Sequence, residues 1–154
     1  MDPTIDENTT LLIVGTFPSQ ISRDTNQYYG NPRNQFWKLM GEILAIDLQD
    51  SNYDDRIRVL HDRQIGLWDT LKACDITGSS DSSIRNEEYN DFSQLTSIKK
   101  IICNGKKAEK YIKHCNVPTN VNILVVPSSS PARAMKISDK SEMWKEVIGT
   151  VEKR

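Results

Sequence analysis

The sequence is poor in the groups that metal and thiol chemistry use. Two histidines and three cysteines are spread over 154 residues. Cys74, Cys103 and Cys115 form no CxxC pair, and only His61 and His114 could join them, so neither a disulfide framework nor a metal site is expected. Three plain thiols in a reducing compartment fit this pattern, with a His/Cys nucleophile pair as the remote alternative. No apolar run nears the roughly 20 residues that cross a bilayer, and Met1 to Thr10 lacks a basic stretch followed by an apolar core. The expectation is a soluble, cytoplasmic protein with one domain over residues 1–154, of which 1–10 are loosely ordered.

The usual phosphate and acyl-transfer motifs are missing too. Neither GxxxxGK[ST] nor GxGxxG follows an apolar run, which removes support for nucleoside triphosphate hydrolysis and dinucleotide binding. There is no GxSxG elbow, and Ser128 to Ser130 have no identifiable histidine base. The net charge of −1 argues against a polyanionic partner, but the average hides an asymmetry. Residues 1–98 hold 8 Lys+Arg against 16 Asp+Glu, whereas residues 99–154 hold 12 against 5. Solvated helix faces account for this, and a basic face able to meet phosphates is compatible with it.

What is present reads as alternating strands and helices. Leu11 to Gly15 (LLIVG) is a short apolar run that suits a strand buried on both faces. Gln35 to Ile46 places Phe36, Leu39, Met40, Ile43 and Leu44 at helical spacing, with Asn34 available as N-cap. The pattern recurs as Tyr53 to Arg63 before Ile65 to Trp68, Asp91 to Ser97 before Lys100 to Cys103, and Gly105 to Cys115 before Val121 to Val126. A last helix from about Ser138 to Glu152 carries Met143, Trp144, Val147, Ile148 and Val151 on one face. Cys74 to Tyr89 has no clear period and reads as a surface loop. Such alternation implies an α/β fold with a parallel sheet covered on both sides.

Open parallel sheets bind ligands beyond the carboxyl ends of their strands. The residues there are Gly15-Thr16-Phe17-Pro18-Ser19, Asp69-Thr70, Asn104-Gly105 and Pro127 to Arg133. The loop QYYGNPRNQFW, residues 27–37, joins them with rings and carboxamides. Any one of these turns is explained by capping alone. Together they suit the holding of a flat heterocycle better than the building of a strong nucleophile.

In chain order, GTFPS, QYYGNPRNQFW, GLWDTLKAC, GSSDSSI, NDF, ICNG and PSSSPARA resemble the uracil-DNA glycosylase superfamily, and within it the hypoxanthine-DNA glycosylase branch. The resemblance runs from about Leu11 to Trp144. It implies a three-layer αβα sandwich around a four-stranded parallel sheet, and a monofunctional enzyme that flips a deaminated base out of double-stranded DNA and hydrolyses its N-glycosidic bond. No cofactor, membrane or obligate protein partner is implied, and a monomer is expected.

By the same resemblance Asn34 positions the attacking water, because Phe17 stands where better-known members keep Asp or Asn. Tyr29 takes the place of the ring on which the base stacks, a contact worth about 1–3 kcal/mol per base. Phe17, Asp69 and Asn104 complete the base site, with capping as the plain alternative for Asp69 and an Asn-Gly turn for Asn104. Tyr28 and Trp37 are read as packing residues. Pro18, Ser19, Ser128, Ser129 and Ser130 would meet the DNA backbone, with Arg133 or a neighbour filling the vacated space. Lys106, Lys107 and Lys110 read as solvated helix surface that could add nonspecific attraction. Two departures bear on base choice. Asn31 replaces a histidine common in the branch, and Val126 precedes the serine loop where uracil-specific enzymes keep a histidine, which argues against efficient uracil removal. Excision of uracil or mispaired thymine is the alternative within the superfamily, and a noncatalytic DNA- or nucleotide-binding module is the alternative outside it.

Overall fold

A strand with no polar residue is stable only when both of its faces are covered. In the computed structural model, which describes residues 1–76, 84–131 and 135–149, the LLIVG run forms β1 (Leu11–Gly15), buried at every position. Leu11 and Ile13 face one layer, while Leu12 and Val14 face the other. After α1 (Gln20–Thr25), α2 (Phe36–Leu44) and α3 (Tyr53–Asp62), the chain returns as β2 (Ile65–Asp69). β3 (Leu71–Ile76) and β4 (Ile84–Tyr89) follow, then β5 (Lys100–Asn104), α4 (Lys106–Ile112), β6 (Asn122–Val126) and α5 (Ile137–Ile148).

The main sheet has four parallel strands in the order β2-β1-β5-β6. The first layer packs Phe36, Leu39 and Met40 of α2, Leu60 of α3, and Trp144 and Ile148 of α5 on Ile13, Leu67 and Ile102. The second layer is thinner. It sets Ala108 and Ile112 of α4, with Phe92 and Ile98, on Leu12, Val14, Ile101 and Cys103. The αβα expectation therefore holds, with helices on both faces of the sheet.

Four local expectations are corrected. Cys74 to Tyr89 was read as a loop, but it contains most of an antiparallel β3/β4 pair. Its strands have exposed positions and two register shifts, which removed the alternation that marks a strand; residues 77–83, including most of the GSSDSSI motif, lie outside the described residues. Asp91 to Ser97 is a series of turns rather than a helix, and Phe92 and Ile98 are buried without helical periodicity. On α5 the buried stripe runs through Lys140, Ser141, Trp144 and Ile148, leaving Met143 45% exposed; Val151 lies outside the described residues.

The fourth correction concerns residues 1–10, which are tied to the sheet instead of lying loose. Thr4 and Leu67 exchange backbone hydrogen bonds of 2.9 and 3.0 Å, an antiparallel bridge on the outer edge of β2. Tyr28 Oη donates to the Asp2 carbonyl at 2.6 Å, and Trp68 Nε1 to that of Met1 at 3.2 Å. The bridge occupies an edge that would otherwise offer free backbone groups. Among the described residues, no helix is long and apolar enough to cross a membrane, and no cluster of three His, Cys, Asp or Glu could hold a metal ion.

Candidate active site

Parallel register brings the strand ends to one edge, with Gly15 opposite Asp69 and Asn104 opposite Val126. Strand order reverses between β1 and β5, so a crevice opens there as in other open α/β sheets. It is a cleft of about 870 Å³. Phe17, Pro18, Ser19, Tyr29, Asn34, Asp69, Asn104, Ser128, Ser129 and Ser130 all line it, so every proposed site residue among those described reaches one place. Arg133 lies outside the described residues.

A continuous set of hydrogen bonds joins the two loops that wall the cleft. Ser129 Oγ donates to Asn34 Oδ1 at 2.8 Å and accepts from Asn104 Nδ2 at 2.9 Å. The Ser129 N–H donates to Asn104 Oδ1 at 2.9 Å, and the Ser129 carbonyl accepts from the Gln35 N–H at 2.9 Å. Ser129 is 1% exposed, so the hydroxyl expected to face a phosphate is instead the link between Asn34 and Asn104. Its half-buried neighbours Ser128 and Ser130 are left for the rim.

Asn34 has the capping role that its position before α2 suggested, in modified form. Gln35 is the N-cap residue, but the Phe36 N–H donates to Asn34 Oδ1 at 2.9 Å. That oxygen therefore accepts two hydrogen bonds, which fill its lone pairs. The amide Nδ2 is the end left for a ligand.

Tyr29 sits behind this network with a left-handed backbone, φ 54°, rare for a tyrosine. Its ring stacks on Phe36 with centroids 4.1 Å apart and planes 17° from parallel, leaving one ring face for another partner. Its Oη is buried and has no hydrogen-bond partner among the described residues. Burial, reinforced by the nearby Asp69, pushes this phenol well above its usual range, and the Asn104 amide counters that slightly without closing a hydrogen bond. Tyr28 and Trp37 are packing residues: both are buried, and Trp37 Nε1 donates to the Tyr28 carbonyl at 3.1 Å.

Asp69 ends β2 on the cleft floor, 5% exposed, with Oδ2 unpartnered among the described residues. Burial pushes its carboxyl up to about 7, against a small lowering by the N-terminal ammonium. Its Oδ1 is the reason β1 ends on glycine, since a Cβ at Gly15 would lie 2.7 Å from that oxygen and 3.4 Å from Tyr29 Oη. Across the cleft Gly105, with φ 97°, brings the chain against Ser128, where a Cβ would lie 3.0 Å from the serine Cβ.

The outer wall is the segment after β1. Phe17 packs with Leu71, Ile84 and Tyr111 under the guanidinium of Arg23, 5.2 Å from its ring centroid. Pro18 is buried, and exposed Ser19 caps α1 by accepting from the Ser22 N–H at 3.1 Å.

Lys140 is the contributor that sequence reading missed. Fully buried on α5, it donates to Gln35 Oε1 at 2.7 Å and to the Ser130 carbonyl at 3.2 Å, and so braces both loops from behind. The available signal was a lysine at helical spacing with Ile137, Trp144 and Ile148.

A cleft walled by hydrogen-bonded loops at the switch point of a four-stranded parallel sheet, floored by a carboxyl and a phenol, defines the class. The chain belongs to the uracil DNA glycosylase superfamily, whose family model matches residues 3–150. Among its relatives, the protein named hypoxanthine DNA glycosylase in Methanosarcina barkeri is 38% identical over 153 residues, covering 95% of this chain and 94% of that one. A protein of the same name in Methanosarcina acetivorans is 41% identical over 151 residues, covering 94% and 93%. The solution NMR structure of a candidate uracil DNA glycosylase from Methanosarcina acetivorans superposes with a TM-score of 0.79 at 38% identity, covering 96% of both chains.

Proposed function

We propose that this chain, acting as one domain and a monomer in the cytoplasm, is a monofunctional DNA glycosylase. It hydrolyses the N-glycosidic bond of a deaminated nucleotide flipped from double-stranded DNA, as the first step of base excision repair, with hypoxanthine as the favoured base. The observation that carries this is the Asn34–Ser129–Asn104 network closing a cleft over Tyr29 and Asp69. Support comes also from two relatives at 38% and 41% identity that carry the name hypoxanthine DNA glycosylase.

Cleavage of the bond passes through an oxocarbenium-like sugar. Such a centre attracts water strongly, so placing the water matters more than deprotonating it. Asn34 does this through Nδ2–H, the end that its two accepted hydrogen bonds leave over. The flipped base lies against the open face of Tyr29, whose other face rests on Phe36. Phe17, Asp69 and Asn104 line the rest of the base site. Pro18, Ser19, Ser128 and Ser130 meet the backbone beside the lesion, Ser129 holds the network behind them, and Arg133 fills the gap in the duplex. Extrusion costs a few kcal/mol, least at a mispair, and these contacts offset it. Water alone completes the reaction, so the scheme calls on no cofactor.

The test is base release from end-labelled duplexes carrying one deoxyinosine, deoxyxanthosine, deoxyuridine or G·T mispair, with and without alkali. The expected result is strand scission at inosine that requires alkali, slowed about a hundredfold or more in Asn34→Ala, the scale of losing one positioned polar group. Release at an undiminished rate by Asn34→Ala removes the assigned mechanism. DNA binding without release from any duplex makes the protein a binding module.

A further inference from the structure

Among the described residues, the cleft floor holds two buried polar atoms, Asp69 Oδ2 and Tyr29 Oη, that have no hydrogen-bond partner. Buried groups without partners are rare, and a pair at the end of an active-site strand points to a ligand that completes them. Both residues close on the bare Cα of Gly15, so that Asp69 Oδ1 and Tyr29 Oη come within about 6 Å of each other. Among the described residues the charged and titratable groups around Asp69 are few. Tyr28 and Tyr29 face it from the loop before α2, and the Met1 ammonium acts on it from the N-terminal segment. Arg23, Arg33 and Cys74 line the same cleft, and no salt bridge reaches the carboxyl.

An ionised Asp69 would be a buried, unpaired charge with an unsatisfied oxygen, a combination costing several kcal/mol. A neutral acid avoids that cost and presents a hydrogen-bond donor. Deamination of adenine or cytosine replaces an amino group, which donates, with a carbonyl oxygen, which accepts. At the exocyclic position a carboxylate would favour the amino group of the parent base and repel the new carbonyl oxygen, whereas an acid donates to that oxygen and keeps its second oxygen free to accept the ring N–H that deamination also creates.

We propose that Asp69 meets the base as a carboxylic acid and donates a hydrogen bond to the carbonyl oxygen that deamination creates, O6 of hypoxanthine or O4 of uracil. The proton on Asp69 then reads the exocyclic position at which the deaminated base differs from its parent. The same bond strengthens as the departing base gains negative charge, so it acts on the chemical step as well as on recognition. This rests on the glycosylase reading above and assigns a role within it. Raising of the Asp69 carboxyl to about 7 by burial agrees with the acid form at neutral pH.

The test is single-turnover release of hypoxanthine from a deoxyinosine duplex between pH 5.5 and pH 9, for wild type and Asp69→Asn. An acid that must stay protonated predicts a wild-type rate falling about tenfold per pH unit above about 7. Asp69→Asn, which donates at every pH, retains release within about tenfold of wild type at the acid end and loses the alkaline fall. A wild-type rate that rises through neutrality, an alkaline fall unchanged in Asp69→Asn, or complete loss of release in Asp69→Asn with DNA binding intact each overturns the proposal. A carbon-13 titration of the Asp69 carboxyl in the free protein separates this from the function itself. An apparent pKa near the ordinary carboxylate value overturns the acid form even if inosine is released, and a high value supports it even if inosine proves to be the wrong substrate.

Discussion

Replacing Ser129 by alanine removes a hydroxyl and leaves the backbone bonds of that residue in place. The Ser129 N–H still meets Asn104 Oδ1, and its carbonyl still accepts from the Gln35 N–H. Asn34 Oδ1 loses one donor but keeps the Phe36 N–H. The loss falls on Asn104 Nδ2, which donates to the hydroxyl at 2.9 Å from a residue only 8% exposed. An unsatisfied buried donor costs about 1–3 kcal/mol. For a chain of this length that corresponds to a fall in Tm of roughly 3–10 °C. Urea titration checks the figure: the midpoint drops while the slope, set by the surface exposed on unfolding, is unchanged. Ser128→Ala is the control, because among the described residues that half-buried hydroxyl accepts only the Ser130 N–H, at 3.1 Å, and the expected loss is within about 1 kcal/mol. If Ser129→Ala is no less stable than Ser128→Ala, the hydroxyl does not link the two loops, and the account of how Asn34 is held fails with it.

Two further changes probe the same region. Since folding raises the Asp69 carboxyl from 3.8 to about 7, the folded state binds more protons between those values, and stability falls as pH rises through that window. Asp69→Asn removes the dependence, so above pH 7 the variant is more stable than wild type by up to about 4 kcal/mol, read from urea midpoints on both sides of the window; equal midpoints at pH 8 contradict this. Lys140→Met preserves bulk but withdraws the donor to Gln35 Oε1 and the Ser130 carbonyl, and is expected to cost about 1–3 kcal/mol and to speed amide exchange at Ser129 and Gln35; unchanged exchange there would mean that the lysine braces neither loop.

The main sheet was legible because the interiors of its strands are short apolar runs with polar residues only at their ends. Val14 and Ile102 announce burial on opposite faces through composition alone. The hairpin was not legible, since the β3/β4 pair derives its order from backbone pairing and has exposed residues on both strands. Asn34 and Asp69 stood out as residues beside an element end that the sequence marks, whereas Tyr29 was implied only by the resemblance of its loop to the family. Lys140 and the inward turn of Ser129 could not, because whether a hydroxyl faces solvent or a carboxamide depends on how two distant loops meet.

The link between Asn34 and Ser129 joins residues 95 positions apart, and β1 pairs with β5 across most of the chain between them. Contacts of such range form late and slowly in folding, because the intervening loop must be closed before it is rewarded. A nascent chain therefore has no working cleft until the serine loop has left the ribosome. A product truncated before β6 would carry Asn34, Tyr29 and Asp69 without the Ser129 link, leaving the Asn34 carboxamide only the Phe36 N–H of its own loop. The cleft thus acts as a completeness check on the polypeptide, since only a folded chain that includes the serine loop closes the Asn34–Ser129 link.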